Sequence, residues 1–389
     1  MKEKLATKNF ILICITNFLI FLYPYLLITT FPFYVRSLGG SELTVGLLAS
    51  LFSGACMFAR PAAGYISDHY SRRLPLLIGL TVLIGVTLGY ALWPLLSVIV
   101  VLRLVHGLVN GLVSTSITTV ACDDIPASRF AEGMGFFGMM TAVPIAAAPA
   151  VGFWLMNAYG FRPMFLICAA LAAVTLACAL RLRYRRLTPR PRERLSLSAL
   201  FEKNALPASL IIFLAFLPFT AVSSFVALYA ESRGLGSAGP FFTGWAVASV
   251  GVRFIFGPYS DRHGENLAII LGNCCFAGGL LLTVFAGRPW VFALAGLVYG
   301  GGFGVIGPAA QTMSMRAVAP ERRGAASCTY LFMIDLSGVA SGALSGALVT
   351  AWGYRPMFLL MTLFTAASVA LYRRWGRFTP SAFRPASRP

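Results

Sequence analysis

Asp335 is the residue of this chain best placed for chemistry. It stands in Met333-Ile-Asp335-Leu-Ser-Gly, inside an apolar run. If the run is a helix, the carboxyl lies roughly 16 Å from its nearer end, at ~1.5 Å per residue. A carboxylate in hydrocarbon is costly unless it is paired or protonated. Such a group either couples proton movement to a second solute or serves as a structural partner to a distant polar group. Arg103 poses the same problem with the opposite sign, in Arg103-Leu-Val-His106-Gly107-Leu-Val-Asn110-Gly111. Lying roughly 10 Å from the end of its run, it needs a cavity, a partner or a snorkelling path to the interface. His106 falls one turn along on nearly the same face, as does Asn110. It either joins a proton relay or packs as a neutral ring.

The elements that hold these groups are legible from composition. Of 389 residues, 58% are hydrophobic and 11% charged, with a mean hydropathy of +0.78. A water-soluble domain carries about 25% charged residues, so this surface cannot all face water. Apolar runs long enough to span a bilayer recur near 9–30, 43–66, 74–93, 96–120, 132–156, 162–181, 206–230, 240–260, 267–286, 290–315, 324–350 and 355–373. They predict an all-α membrane protein of twelve transmembrane helices. The first run follows Lys2, Lys4 and Lys8, exceeds a signal-peptide core and lacks a cleavage site, so it is expected to remain as a membrane helix. The eight cysteines show no metal spacing and read as small packing residues.

Charge sets the expected orientation. Net charge is +18, and the basic residues cluster at the N-terminus, Arg72–Arg73, Arg129, the stretch from Arg181 to Lys203, Arg262, Arg316–Arg323 and the C-terminal tail. The alternate loops hold only Arg36, Arg162, Arg233, Arg288 and Arg355. That bias predicts both termini in the cytoplasm. With none of the interleaved aromatics of a nucleic-acid platform, the charge is not read as a nucleic-acid surface. The polar stretch 182–205 divides the helices six and six, giving expected bundles at 1–181 and 206–389.

An internal repeat relates the two sets. Tyr159-Gly-Phe-Arg-Pro-Met-Phe-Leu166 recurs as Trp352-Gly-Tyr-Arg-Pro-Met-Phe-Leu359, an offset of 193. The same offset carries Arg60 to Arg253, Gly64 to Gly257, Asp68 to Asp261, Gly107 to Gly300, Gly111 to Gly304 and Arg129 to Arg322. Six helices per copy give both copies the same orientation, the parallel-repeat arrangement of secondary transporters. Asp335 corresponds to Ala142 and Arg103 to Gly296, so duplication does not account for either charge.

Gly64-Tyr-Ile-Ser-Asp68-His-Tyr-Ser71-Arg72-Arg73 resembles the loop motif G-x-x-x-D-x-x-G-R-[RK] of the major facilitator superfamily, with Ser71 at its second glycine. Gly257-Pro-Tyr-Ser-Asp261-Arg262-His-Gly264 is a weaker copy without the terminal basic pair. Arg103 and Gly107 are similar to the family's R-x-x-x-G pattern. Gly138 to Gly152 resembles its antiporter signature, with alanines at several glycine positions, and the N-terminal segment through Gly64 looks like the drug:proton and sugar-efflux branch.

The resemblance implies two pseudo-symmetric six-helix bundles, alternating access, and a conformational latch at Gly64, Asp68, Arg72, Arg73, Gly257, Asp261 and Arg262. It links Arg103 to proton transfer, beside His106 and Asp335. Family helices 1, 4, 7 and 10 line the cavity, which makes Asn17, Tyr23, Asn110, Thr220, Ser224, Tyr229, Tyr299 and Gln311 candidates for substrate contact. Each of these alone also suits packing or helix–helix hydrogen bonding. The expectation is a proton-coupled exporter of a small organic molecule in a bacterial-type inner membrane, monomeric, without cofactor, metal or nucleic-acid partner. An exporter of a polar metabolite (a sugar or an amino-acid-derived metallophore) and an uptake symporter share the same fold. With no P-loop, nucleophile elbow or metal cluster in the sequence, neither ATP drive nor an enzyme is expected.

Overall fold

A bilayer offers no water to backbone N–H and C=O groups, so a chain this apolar must satisfy them inside helices. A computed structural model describes residues 5–185, 201–263, 266–318 and 323–376, and every regular element among them is helical. The helices are α1 (Lys8–Ile28), α2 (Phe31–Ser37), α3 (Glu42–His69), α4 (Leu74–Leu92), α5 (Leu96–Asp124), α6 (Phe130–Tyr159) and α7 (Phe161–Arg181). They continue as α8 (Leu206–Ser232), α9 (Gly239–His263), α10 (Asn266–Phe285), α11 (Pro289–Arg316), α12 (Arg323–Trp352) and α13 (Tyr354–Gly376). Most of the expected linker, residues 186–200, lies outside the described residues.

Over their described residues, eleven of these helices are long and apolar enough to cross a membrane. The expected eighth span corresponds to α9, 25 residues long, whose C-terminal part is described only in its backbone. The first run, expected near 9–30, forms α1 and ends at Ile28. Thr29 donates to the Pro149 carbonyl and Thr30 to those of Leu26 and Leu27, and Pro32 then opens the short α2. Side-chain bonds of this kind compete with the helical ladder and end it locally. Pro24, Pro61, Pro144, Pro149, Pro218 and Pro308 all sit inside helices, as bilayer helices tolerate. Phe58, Ile255, Phe285 and Leu363 are exposed, as suits a surface facing hydrocarbon.

The chain forms two compact units. The first comprises residues 1–40 and 51–194, the second residues 41–50 and 195–389. Residues 41–50, the first turns of α3, pack with the second unit for identifiable reasons. Gly46 lies against the backbone of Gly342 and Gly346, and Ser50 Oγ donates to the Val339 carbonyl at 2.6 Å. The Ala343 N–H in turn donates to Ser50 Oγ, and the Tyr354 hydroxyl to Glu42.

Within each unit the same packing recurs at the repeat offset. Helix α1 packs on α6, α4 on α5 and α7; correspondingly α8 packs on α12, α10 on α11 and α13. Helices α5, α6 and α7 begin at 96, 130 and 161, and α11, α12 and α13 begin 193 residues later, at 289, 323 and 354. The connection from α6 to α7 turns at Gly160 (φ 80°), and that from α12 to α13 at Gly353 (φ 85°), a left-handed conformation that glycine adopts without strain.

Glycine also sets the closest approaches. A Cβ on Gly107 would collide with the Phe52 carbonyl, and one on Gly300 with the carbonyl of Trp245, the repeat counterpart of Phe52. Gly111 with Cys56 and Gly304 with Ser249 form a second matched pair. Gly64, expected from its motif to permit close contact, has nothing within 4 Å of an added Cβ among the described residues. The intimate contacts fall one helical layer away, at Gly107 and Gly111.

Overpacking of this kind costs about 1–3 kcal/mol. Gly107→Ala and Gly300→Ala should each lower the melting midpoint of the detergent-purified protein by several degrees. Gly85→Ala, where an added Cβ meets open space, should leave it unchanged. Equal midpoints for all three would remove the backbone contacts from any account of stability.

Candidate functional site

In the first unit the groups singled out from the sequence assemble around Arg103. It lies two turns into α5, and its side chain is 6% exposed, so it does not snorkel to the interface. The guanidinium carbon sits 4.3 Å from the centroid of Phe31 on α2 and 4.3 Å from that of Phe52 on α3. Stacking on a desolvated ring stabilises a cation by about 2 kcal/mol. The effective penalty for burying an ion is several kcal/mol, so the two rings offset it only in part. The Tyr90 hydroxyl, from α4, faces the same guanidinium. Nε of Arg103 is buried with no acceptor among the described residues.

His106 is fully buried one turn along α5. Its Nδ1 lies 3.3 Å from the Tyr90 hydroxyl, and which of the two donates depends on the tautomer. Its ring lies near-parallel to Tyr23 at 6.0 Å and meets Phe52 edge-on at 5.1 Å, while Nε2 has no partner among the described residues. Tyr23 donates to Asn110 Oδ1 at 3.4 Å, and Asn110 donates to Cys56 Sγ at 3.7 Å. Arg103, His106, Asn110 and Tyr23 therefore share one buried cluster. Phe31, Phe52 and Tyr90 complete it, although none was chosen from the sequence as a site residue.

The remaining cavity candidates divide by what their polar atoms do. Asn17 ties α1 to α6, its Nδ2 donating to Thr141 Oγ1 at 2.8 Å and to the Phe137 carbonyl. Tyr229 ties α8 to α10 through the Val284 carbonyl at 3.0 Å. Both behave as inter-helix bonds. Tyr299 is fully buried with a hydroxyl that finds no partner among the described residues, and it packs edge-on against Trp245 at 5.2 Å between centroids. Ser224 is buried, while Thr220 and Gln311 are half-buried on α8 and α11. Asp335 lies on α12 in the second unit, 8% exposed.

The loop motif is described in part. Arg72 Nε donates to Asp123 Oδ2 at 2.7 Å, and its Nη1 to the Ser67 carbonyl at 2.9 Å. Ser71, at the position where the family motif has glycine, accepts the N–H groups of Arg73 and Leu74 and so starts α4. Arg73 is exposed. The side chains of Asp68, Asp261 and Arg262, together with Gly257, lie outside the described residues within their helices. Asn9 adds a second tie at this end, donating to Asp124 Oδ1 at 2.7 Å and accepting the Arg183 N–H at 2.8 Å. The two ties border a cavity of about 220 Å³ lined by Arg72, Asp123, Asp124, Arg183 and Tyr184. No group of His, Cys, Asp and Glu among the described residues could hold a metal ion.

The family model described as Major Facilitator Superfamily matches residues 13–342 and 236–388. An uncharacterized MFS-type transporter of Burkholderia pseudomallei (strain 1106a) is 28% identical over 359 residues, covering 88% of this chain and 87% of that one. The uncharacterized MFS-type transporter YhhS of Escherichia coli (strain K12) is 27% identical over 377 residues, covering 92% and 90%. Among solved structures, that of the nucleoside transporter NupG aligns with a TM-score of 0.72 at 15% identity, over 94% of this chain and all of that one.

Removing the Tyr90 hydroxyl strips His106 Nδ1 of its hydrogen bond and Arg103 of its polar neighbour. Leaving a buried polar atom unsatisfied costs about 1–3 kcal/mol. Tyr90→Phe should therefore lower the melting midpoint, whereas Tyr159→Phe, exposed at the end of α6, should not. Equal effects of the two changes would show that the Tyr90 bond contributes nothing.

Proposed function

This chain belongs to the Major Facilitator Superfamily and is a multi-pass membrane transporter of that type, and we propose that it is a proton-coupled exporter of a small organic molecule. The observation that carries the reading is Asp335. It is buried in a membrane helix, and its repeat counterpart is Ala142. The duplicated framework therefore accepts a small apolar residue at this level and does not itself require an acid. An acid acquired in one copy, at such cost, suits a group whose charge changes during the cycle.

On this reading the two halves alternate the access of a central site between the two faces of the membrane. Asp335 carries the proton, and Arg103 with His106 tunes the site's charge. Linkage makes the coupling reciprocal: whatever the substrate does to the proton affinity of Asp335, the proton does to substrate affinity. Gly64, Asp68, Arg72 and Arg73, with Gly257, Asp261 and Arg262, hold one state of the cycle. The Arg72–Asp123 bond supports that role by fixing the α3–α4 loop to the end of α5. The charge bias supports a bacterial-type inner membrane as the location, with both termini cytoplasmic.

The test uses inverted membrane vesicles energised to be acid inside. Collapse of the gradient is recorded as organic anions, lipophilic cations and sugars are added, for wild type and Asp335→Asn. Collapse by one class, lost in Asp335→Asn, is the expected result. Collapse that survives the substitution would assign Asp335 a structural role. No collapse by any class, together with substrate accumulation by intact cells, would reverse the direction of transport.

A further inference from the structure

Arg103 is a buried cation for which the described residues of the first unit supply no carboxylate. The carboxylates described there are Asp123, Asp124 and Glu132, bonded to Arg72, Asn9 and Arg129 respectively. Asp123 stands twenty residues beyond Arg103 on the same helix, about 30 Å away at ~1.5 Å per residue. Asp68 follows Phe52 by sixteen residues on α3, about 24 Å from the level at which that ring covers the guanidinium. Glu42 packs with the second unit, where it accepts from Tyr354.

What surrounds Arg103 restricts how an anion would meet it. Phe31 and Phe52 each lie against the guanidinium at 4.3 Å from its carbon and offer it π faces, not hydrogen-bond acceptors. The guanidinium N–H bonds lie in one plane, and Nε has no acceptor among the described residues. A planar oxyanion accepts two parallel N–H bonds from this fork, which a lysine ammonium cannot imitate. Organic cations meet an unneutralised like charge at the same place.

The repeat shows that the fold does not require the charge. In the second unit the counterpart of Arg103 is Gly296, where an added Cβ would run into the Phe241 backbone. The counterpart of His106 is Tyr299, and that of Phe52 is Trp245. A position satisfied in one copy by backbone contact thus holds a guanidinium in the other, against two rings and with no carboxylate partner among the described residues.

We infer that Arg103 is the receptor for an anionic group of the transported molecule, a carboxylate or similar planar oxyanion on a small organic solute. The inference rests on the transporter reading but not on proton coupling. Export of such a solute against proton entry moves charge in the direction favoured by an inside-negative potential at both steps.

The experiment measures thermal stabilisation of the purified full-length protein by three near-isosteric probes: benzoate, benzamide and benzamidine. A wider set of carboxylates, each paired with its amide, accompanies them. Carboxylates should raise the melting midpoint of wild type in a concentration-dependent way, and the amides and the amidine should not. Arg103→Gln should abolish the response, and Arg103→Lys should weaken it at least tenfold. Equal responses to acid and amide, a response undiminished in Arg103→Lys, or no response to any carboxylate would each overturn the inference. Should Arg103→Gln fail to fold, Arg103→Lys decides alone. Carboxylates that bind without moving protons in the vesicle assay would sink proton coupling and leave this inference standing. Organic cations that move protons while no carboxylate binds would do the reverse.

Discussion

Helices in lipid gain little from hiding apolar surface from one another, because the tails around them are just as apolar. What holds them is close packing, and here the closest packing is backbone on backbone at Gly107 and Gly111 against α3. The geometry of the candidate site follows from that contact. Gly107 lies one turn beyond Arg103 on the same helix face and touches the carbonyl of Phe52. With α3 held at that distance, the ring of Phe52 lands on the guanidinium and its edge meets His106. A side chain at Gly107 would push α3 outward and open the sandwich.

The same contact exists in the second unit with different chemistry built on it. Gly300 touches the Trp245 carbonyl, and the Trp245 ring meets those of Phe241, Tyr299 and Phe303. Duplication has therefore kept the framework and let the side chains at equivalent positions diverge, one copy toward a cation and the other toward an aromatic cluster. Two donors in that cluster, Trp245 Nε1 and the Tyr299 hydroxyl, are buried without a partner among the described residues. Buried donors are normally bonded, so the second unit also departs from pure packing at this level.

Much of this was readable in the sequence because periodicity and duplication are one-dimensional signals. The offset of 193 found in the Arg-Pro-Met-Phe-Leu segment recurs in the starts of three helix pairs and in the partners of their glycines. Apolar run length placed the membrane helices, eleven of which are long and apolar enough to cross a bilayer over their described residues alone. The partners of Arg103 were not legible. Tyr90 comes shortly before Trp93 near a helix end, where aromatic residues usually mark the interface, and nothing local says that it turns inward. Phe31 and Phe52 belong to different helices from Arg103, and only the three-dimensional fold brings them together. Asn17 and Tyr229, polar residues on cavity helices, bond neighbouring helices, partners that no local pattern announces.

The aromatic contacts also explain how a guanidinium persists here with no acid beside it among the described residues. A carboxylate partner would have offset more of the desolvation cost, and in a low-dielectric site it would have neutralised the charge as well. Aromatic faces act differently, because a quadrupole attracts the cation without cancelling its net charge. Phe31 and Phe52 therefore hold Arg103 in place while its field continues into the surrounding site. Arginine tolerates this better than lysine, since its charge is delocalised over a plane that stacks and is more weakly hydrated. The stability forgone in leaving the ion unpaired is the physical condition for its field to act on anything else.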